Sequence, residues 1–275
     1  MADVEDALEI SWLDFKKTAS QLSDQANAEG STMLFRGQAS SKWCLQTTLE
    51  RSDLSEEVLD HYRTILRIKR NVEAFTGREW PDAPEMPELE QIVHGGYDQF
   101  SLRIKSGDLP YYSYLAYLRH HGFPSPLLDW SASPMVAAFF AFRTRSDSDF
   151  VAIYAYRERD ASRMKSGGSD LPSIRMLGPY VSAPKRHFMQ RSYYTMCAMW
   201  DANSPYFYQH SKVCKRYDPK AEFQQDIVYK FALKGEGRRE VLTELAEYNL
   251  HAYTLFGSDD SLIESLATRA ELNGD

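Results

Sequence analysis

Along residues 5–28, Leu8, Ile10, Trp12, Leu13, Phe15 and Leu22 return at roughly helical spacing, which predicts an amphipathic helix ended by Glu29-Gly30-Ser31. Thr32–Arg36 reads as a short strand, and Trp43–Leu49 as a second extended or turn-linked piece. Leu54, Val58, Leu59, Tyr62, Ile65, Leu66 and Val72 recur at three- and four-residue steps and predict a long helix over 54–75. Gly77, Pro81, Pro84 and Pro87 mark a loop over 76–90, followed by a helix over 88–105 weakened by Gly95-Gly96. Pro110 and Gly122 are suitable start and stop residues for a helix over 110–121. Leu127-Leu128 then enters a short strand. Ser133-Pro134 opens a helix from Pro134 to Arg143 that is apolar almost all round, as a buried helix is.

From Phe150 onward the pattern changes to strands, expected over Val151–Tyr156, Arg186–Met199 and Ile227–Leu233, with helices over 238–247 and 260–270 closing the chain. The Ser- and Gly-rich stretch 159–182 reads as a flexible loop, and there is no internal repeat. Helices first and strands later predict an α+β fold, with an N-terminal helical part packed on a small mixed or antiparallel β core. The expected organisation is a helix over 1–30 and one domain over 31–270. That domain divides into a helical insertion (about 54–122), a strand-rich half (about 125–235) and C-terminal helices (238–270).

With 275 residues, 43% of them hydrophobic and 26% charged, the chain can bury a core that needs no metal or disulfide. Its net charge of -7 argues against general nucleic-acid binding but leaves room for a local basic groove. The 17 Tyr and 14 Phe are better explained by a Tyr-rich core and surface than by a base-stacking platform. Cys44, Cys197 and Cys214 form neither a disulfide framework nor a zinc pattern, so no metal is expected. The acidic start lacks the features of a secretory signal, and no apolar run reaches the roughly 18 residues of a membrane span. A soluble, cytoplasmic protein with no membrane partner is the expectation.

Four segments carry candidate chemistry. Arg36 lies among apolar neighbours, with Gly37 beside it leaving space for an incoming ligand. Its guanidinium suits phosphate oxygens, or else an ordinary ion pair with a carboxylate. In Asp129-Trp130-Ser131-Ala132-Ser133-Pro134, Ser133 is a good N-cap, and the same helix start favours an anion. Asp129 has three open roles there: capping, pairing with Arg36, or binding a ribose hydroxyl. His120 and His121 are adjacent and cannot share a helix face, so they make a poor metal pair. His120 reads as a helix-end cap or as part of the cleft wall. Gln190, on the predicted strand 186–199, would share one face with Phe188 and Ser192, where its amide suits a ribose or an amide; the alternative is that Arg186 and Arg191 form an ordinary solvated edge. Walker, GxSxG, HExxH and GxGxxG motifs are absent.

Phe35-Arg36-Gly37-Gln38, followed by Trp43-x-Leu45 and Arg51, resembles the opening signature of the FRG domain family, named for its Phe-Arg-Gly motif. Leu118–Ala141 is similar to that family's second signature, Gln-His-Tyr-Gly-x-Pro-Thr-Arg-Leu-Leu-Asp-Trp-Thr-x-Ser-Pro. Arg186 with Gln190 resembles a third block, and Leu250–Ala267, with Thr254-Leu255-Phe256, a terminal one. Four departures stand out: Arg119 replaces Gln, His121 the aromatic, Ser125-Pro126 the Thr-Arg pair and Ser192 a Gly. The loss of that second Arg bears on any role requiring two cations. The motif order is also similar, more distantly, to ADP-ribosyltransferases of the Arg-Ser-Glu type. That likeness implies an ADP-ribosyltransferase-like fold and NAD as substrate.

By the same likeness Arg36, Ser131 and Gln190 would be the catalytic set, with Gln190 where the catalytic Glu stands. Arg36, Gly37, Gln38, His120, Asp129, Ser131 and Ser133 would bind NAD. Gln can orient a ribose but brings no negative charge to an oxocarbenium-like transition state. Three readings follow: an ADP-ribosyltransferase or NAD glycohydrolase acting as a toxin or antiphage defence effector, a nucleotide-binding module without turnover, and a protein-interaction scaffold with an internal Arg36–Asp129 pair. A nucleotide ligand is expected; the macromolecular acceptor is left open.

Overall fold

A computed structural model of the chain describes residues 7–81, 84–94, 109–159, 171–179, 185–201, 204–221 and 224–274. Among these, ten helices surround an eight-stranded mixed sheet. The strands, numbered along the chain, are β1 (Leu8–Glu9), β2 (Leu34–Gln38), β3 (Leu128–Ser131), β4 (Phe150–Arg159), β5 (Ser173–Leu177), β6 (Ser192–Asp201), β7 (Ser204–Phe207) and β8 (Gln225–Lys234). Their order across the sheet is β1-β8-β4-β2-β3-β6-β5, with β7 also on β6. The β1–β8 pair is parallel and the other pairs are antiparallel.

On one face, α1 (Trp12–Ala28), α5 (Pro134–Arg143), α8 (Arg238–Glu247) and α9 (Ala252–Phe256) cover Phe35, Ile153, Ala155 and Phe231 in a single apolar cluster. The other face buries Leu34, Leu128, Trp130, Tyr154 and Tyr156. A third cluster joins α2 (Val58–Thr76), α3 (Met86–His94) and α4 (Tyr112–His120) to Leu177, Tyr194, Met196 and Phe207 at the β5–β7 end of the sheet. Strand alternation therefore sends Phe35 and Leu34 to opposite faces.

Several boundaries differ from the sequence reading. The first helix starts at Trp12, capped by Ser11, whose hydroxyl accepts from the Asp14 N–H. Leu8 and Ile10 fit a helical period, yet Leu8–Glu9 pairs with Phe231–Ala232, and Ile10 N–H donates to the Ala232 carbonyl. Trp43–Leu49, expected as an extended or turn-linked piece, contains bends and no strand. The expected loop 76–90 ends at Met86, where α3 begins, and the rest of the predicted helix 88–105 beyond His94 lies outside the described residues. Ser173–Leu177, inside the predicted loop 159–182, pairs with β6; 160–170 and 180–184 lie outside the described residues.

The predicted strand 186–199 divides into α6 (Lys185–Met189) and β6, and α7 (His210–Val213) follows β7. Buried His187 and Gln190 stand three apart, a helical step, while Phe188 and Met189 are exposed. Arg191 takes a positive φ of 48° at the junction. Gln190 is thus not on a strand and does not share a face with Phe188. At the C-terminus α9 precedes α10 (Asp259–Asn273), which is longer than predicted.

Candidate functional site

A cleft of about 970 Å³ opens where β2 and β3 part. β2 pairs with β4 over five residues but with β3 only at Phe35↔Ser131. Beyond that pair the strands diverge, and Arg36 spans the gap with its side chain: its Nη1 donates to the Asp129 carbonyl at 3.0 Å. Six cationic side chains line the cleft among the described residues (Arg36, Lys42, Arg51, Arg119, Arg145 and Arg186), against the carboxylates of Asp129 and Asp147, with Arg145 also paired to Glu271 outside it at 2.5 Å. A protein of net charge -7 thus carries a local positive excess here.

Asp129 sits at the centre. Its Oδ2 accepts a short hydrogen bond from Arg119, while Arg36 Nη1 stands 3.8 Å from the same oxygen. The closer ionic partner is therefore Arg119, at the last turn of α4. The residue that departs from the family signature puts a second guanidinium in the cleft. Burial, reinforced by Arg119 and Arg51 and opposed by Asp129, lowers the Arg36 pKa to about 10. The Nε atoms of Arg36, Arg119 and Arg186 are buried without an acceptor.

Ser131 and Gln190 are brought together, but largely through structural bonds. The Ser131 hydroxyl donates to the Gln190 carbonyl at 2.7 Å and accepts from the Ser133 N–H at 3.0 Å. The Gln190 amide donates from Nε2 to the Leu255 carbonyl at 3.1 Å, tying the end of α6 to α9. Ser133 is the N-cap of α5, accepting from the Val136 N–H, and does not line the cleft.

Gly37 lines the cleft, but its missing side chain serves the opposite face. A Cβ built there would lie 1.9 Å from the Ala137 carbonyl oxygen and 2.5 Å from the Ala141 nitrogen. The glycine therefore lets α5 lie against β2, which corrects the reading that it makes space for a ligand. Gln38 is buried and donates from Nε2 to the Cys44 carbonyl. Together with the Tyr154 hydroxyl, which donates to the Trp43 carbonyl, it fixes the loop carrying Lys42 and the exposed Trp43 at the rim.

His120 faces the cleft from the end of α4. Its Nε2 lies 2.7 Å from the Tyr194 hydroxyl, and its carbonyl accepts a hydrogen bond from Arg186. Tyr194 is the cross-strand partner of Asp129, which explains their proximity. Burial, then Arg186, push the His120 pKa down to about 4, with Asp129 opposing. Lys42, Arg145 and Tyr194 carried no sequence signal as site residues. Each sits in a different segment, and only the fold gathers them.

Among the described residues no His, Cys, Asp and Glu cluster could hold a metal, and no helix is long and apolar enough to cross a membrane. No curated protein and no solved structure matches the chain. Residues 31–150, which span β2, α2–α5 and the entry into β4, match the family model of the FRG domain.

Proposed function

We propose that the cleft binds a phosphorylated nucleotide, with NAD the specific ligand that the resemblance to ADP-ribosyltransferases implies, on a fold of that type. One observation carries this reading: Arg36 and Arg119 share the carboxylate of Asp129, and Lys42, Arg51 and Arg186 line the same cleft with Asp147 as the one further carboxylate among the described lining residues. Surplus guanidinium donors of this kind suit phosphate oxygens. The exposed indole of Trp43 at the rim adds a surface for a base or nicotinamide ring. Titration calorimetry with NAD, ADP-ribose and pyrophosphate tests the proposal. Arg36→Ala should weaken binding roughly 10- to 150-fold, the cost of one or two charge-assisted hydrogen bonds. A wild-type protein that binds none of the three refutes it.

Turnover of NAD, by transfer or hydrolysis in a toxin or defence effector, is the second reading, and Asp129 favours it. Its side chain is 37% exposed, and Oδ2 takes both arginine contacts, leaving Oδ1 open to stabilise positive charge developing on a ribose ring. In the hydrolytic case water adds to the ribose carbon as the bond to nicotinamide breaks, and its proton passes to solvent. Ser131 and Gln190, with hydroxyl and amide hydrogens engaged internally, act as supports of the cleft. Nicotinamide release by wild type that disappears in Asp129→Asn supports turnover. Binding without release supports the binding module.

A further inference from the structure

We infer that His120 presents an unprotonated Nδ1 to a hydroxyl group of the bound nucleotide, in a tautomer set by Tyr194 and His187. This inference rests on the nucleotide reading above. It starts from His187, which is 1% exposed and whose Nε2 lies 3.0 Å from the Pro179 carbonyl. A carbonyl only accepts, so Nε2 carries the hydrogen. Burial holds the ring neutral, so Nδ1 is an acceptor, and the donor within reach is the Tyr194 hydroxyl at 3.4 Å.

A phenol has one proton. Once that proton is directed to His187, the Tyr194 oxygen accepts from His120, whose Nε2 at 2.7 Å is therefore the protonated nitrogen. The opposite assignment would leave the buried His187 Nδ1 without a donor. His120 Nδ1 carries no such penalty, because it is not among the buried atoms lacking a partner and its ring lines the cleft. Among the described residues no protein donor reaches it.

Around this lone pair the protein supplies mostly donors, from Arg36, Arg119 and Arg186. An acceptor among them has nothing to offer a phosphate oxygen but suits a hydroxyl close to the phosphates. His120 thereby distinguishes a ribosyl phosphate from an inorganic one, and Tyr194 and His187 are positioning residues.

Two measurements on the full chain test this. Side-chain 15N NMR, with His120 assigned through His120→Phe, should show the Nε2–H tautomer in wild type and tautomer mixing in Tyr194→Phe. An Nδ1–H tautomer in wild type overturns the inference without any ligand present. In calorimetry, His120→Phe should weaken NAD about tenfold and leave pyrophosphate within twofold, and Tyr194→Phe should do the same to a smaller extent. Equal weakening of both ligands, or unchanged NAD affinity, refutes the role of His120 alone. Absence of NAD binding by wild type is the separate failure of the nucleotide reading, and removes the role with it.

Discussion

Replacing Gly37 by alanine puts a methyl group where the backbone of α5 already stands. The new Cβ would be 1.9 Å from the Ala137 oxygen and 2.5 Å from the Ala141 nitrogen, whereas real Cβ atoms essentially never come within 3.0 Å of such atoms. The helix must retreat from β2 by more than 1 Å. It cannot do so freely, because Val136, Ala137, Ala138, Phe139, Ala141 and Phe142 are all buried in the cluster shared with α1 and α8. Overpacking typically costs about 1–3 kcal/mol, and a backbone obstacle inside a packed helix belongs at the top of that range. For a chain of this size about 3 kcal/mol corresponds to a fall in Tm of roughly 6–12 °C. Thermal and urea melts followed by circular dichroism measure it. Adding Ala137→Gly should give no rescue, because the obstructing atom is a carbonyl oxygen and not the Ala137 methyl. A Gly37→Ala protein melting within about 2 °C of wild type would refute the packing argument. If that stable variant also lost ligand affinity, the glycine would serve ligand access after all.

Gln190→Glu removes the donor to the Leu255 carbonyl and sets a carboxylate against that oxygen, so it should destabilise by about 1–3 kcal/mol and gain no nicotinamide release. A stable variant with new activity would contradict this. His61 is buried with neither ring nitrogen bonded, and burial takes its pKa down to about 4. An unfolded imidazole protonates near pH 6.5 and the folded one near 4, so its contribution is intact above pH 6.5 and declines as pH falls through that window, by roughly 3 kcal/mol in all. Urea melts of wild type and His61→Leu at pH 7 and pH 5 check this: the variant should show the shallower pH dependence, and equal slopes would count against it.

Much of the helical frame was legible because its signals are local. Ser133-Pro134 fixed the start of α5, and α8 follows its apolar period from residue 238 to 247. Local signals also explain the errors. Leu8 and Ile10 continue a helical period that the N-cap at Ser11 interrupts, and their pairing with β8 depends on residues more than two hundred positions away. In 185–192 a helical three-residue step and a strand's alternation fit the same apolar letters, and the chain resolves them with a turn at Arg191. Arg36, Asp129, Ser131, His120 and Gln190 were each legible as chemistry-bearing residues, and the fold brings them to one cleft. The bonds they form were not legible. No spacing rule tells that Ser131 spends its hydroxyl on the Gln190 carbonyl, or that Arg119 outranks Arg36 as the partner of Asp129.

The charge arrangement itself argues for a ligand. Net charge is a sum over the surface, and the sum of -7 hides six cations gathered where two strands separate. Folding alone gives no reason for that gathering. Burial lowers the Arg36 pKa to about 10, a desolvation that works against the charged form by roughly 3 kcal/mol even with Asp129 nearby. A scaffold stabilised by an internal ion pair would match one guanidinium to one carboxylate at close range. Here Arg119 occupies the close position, Arg36 is held at 3.8 Å, and Arg186 spends a donor on a helix-end carbonyl. The excess positive charge is then an unfavourable term that the fold tolerates rather than uses. An anion entering the cleft would offset that charge and reverse the sign of that term, which is why the surplus itself, more than any single residue, favours binding over a purely structural role.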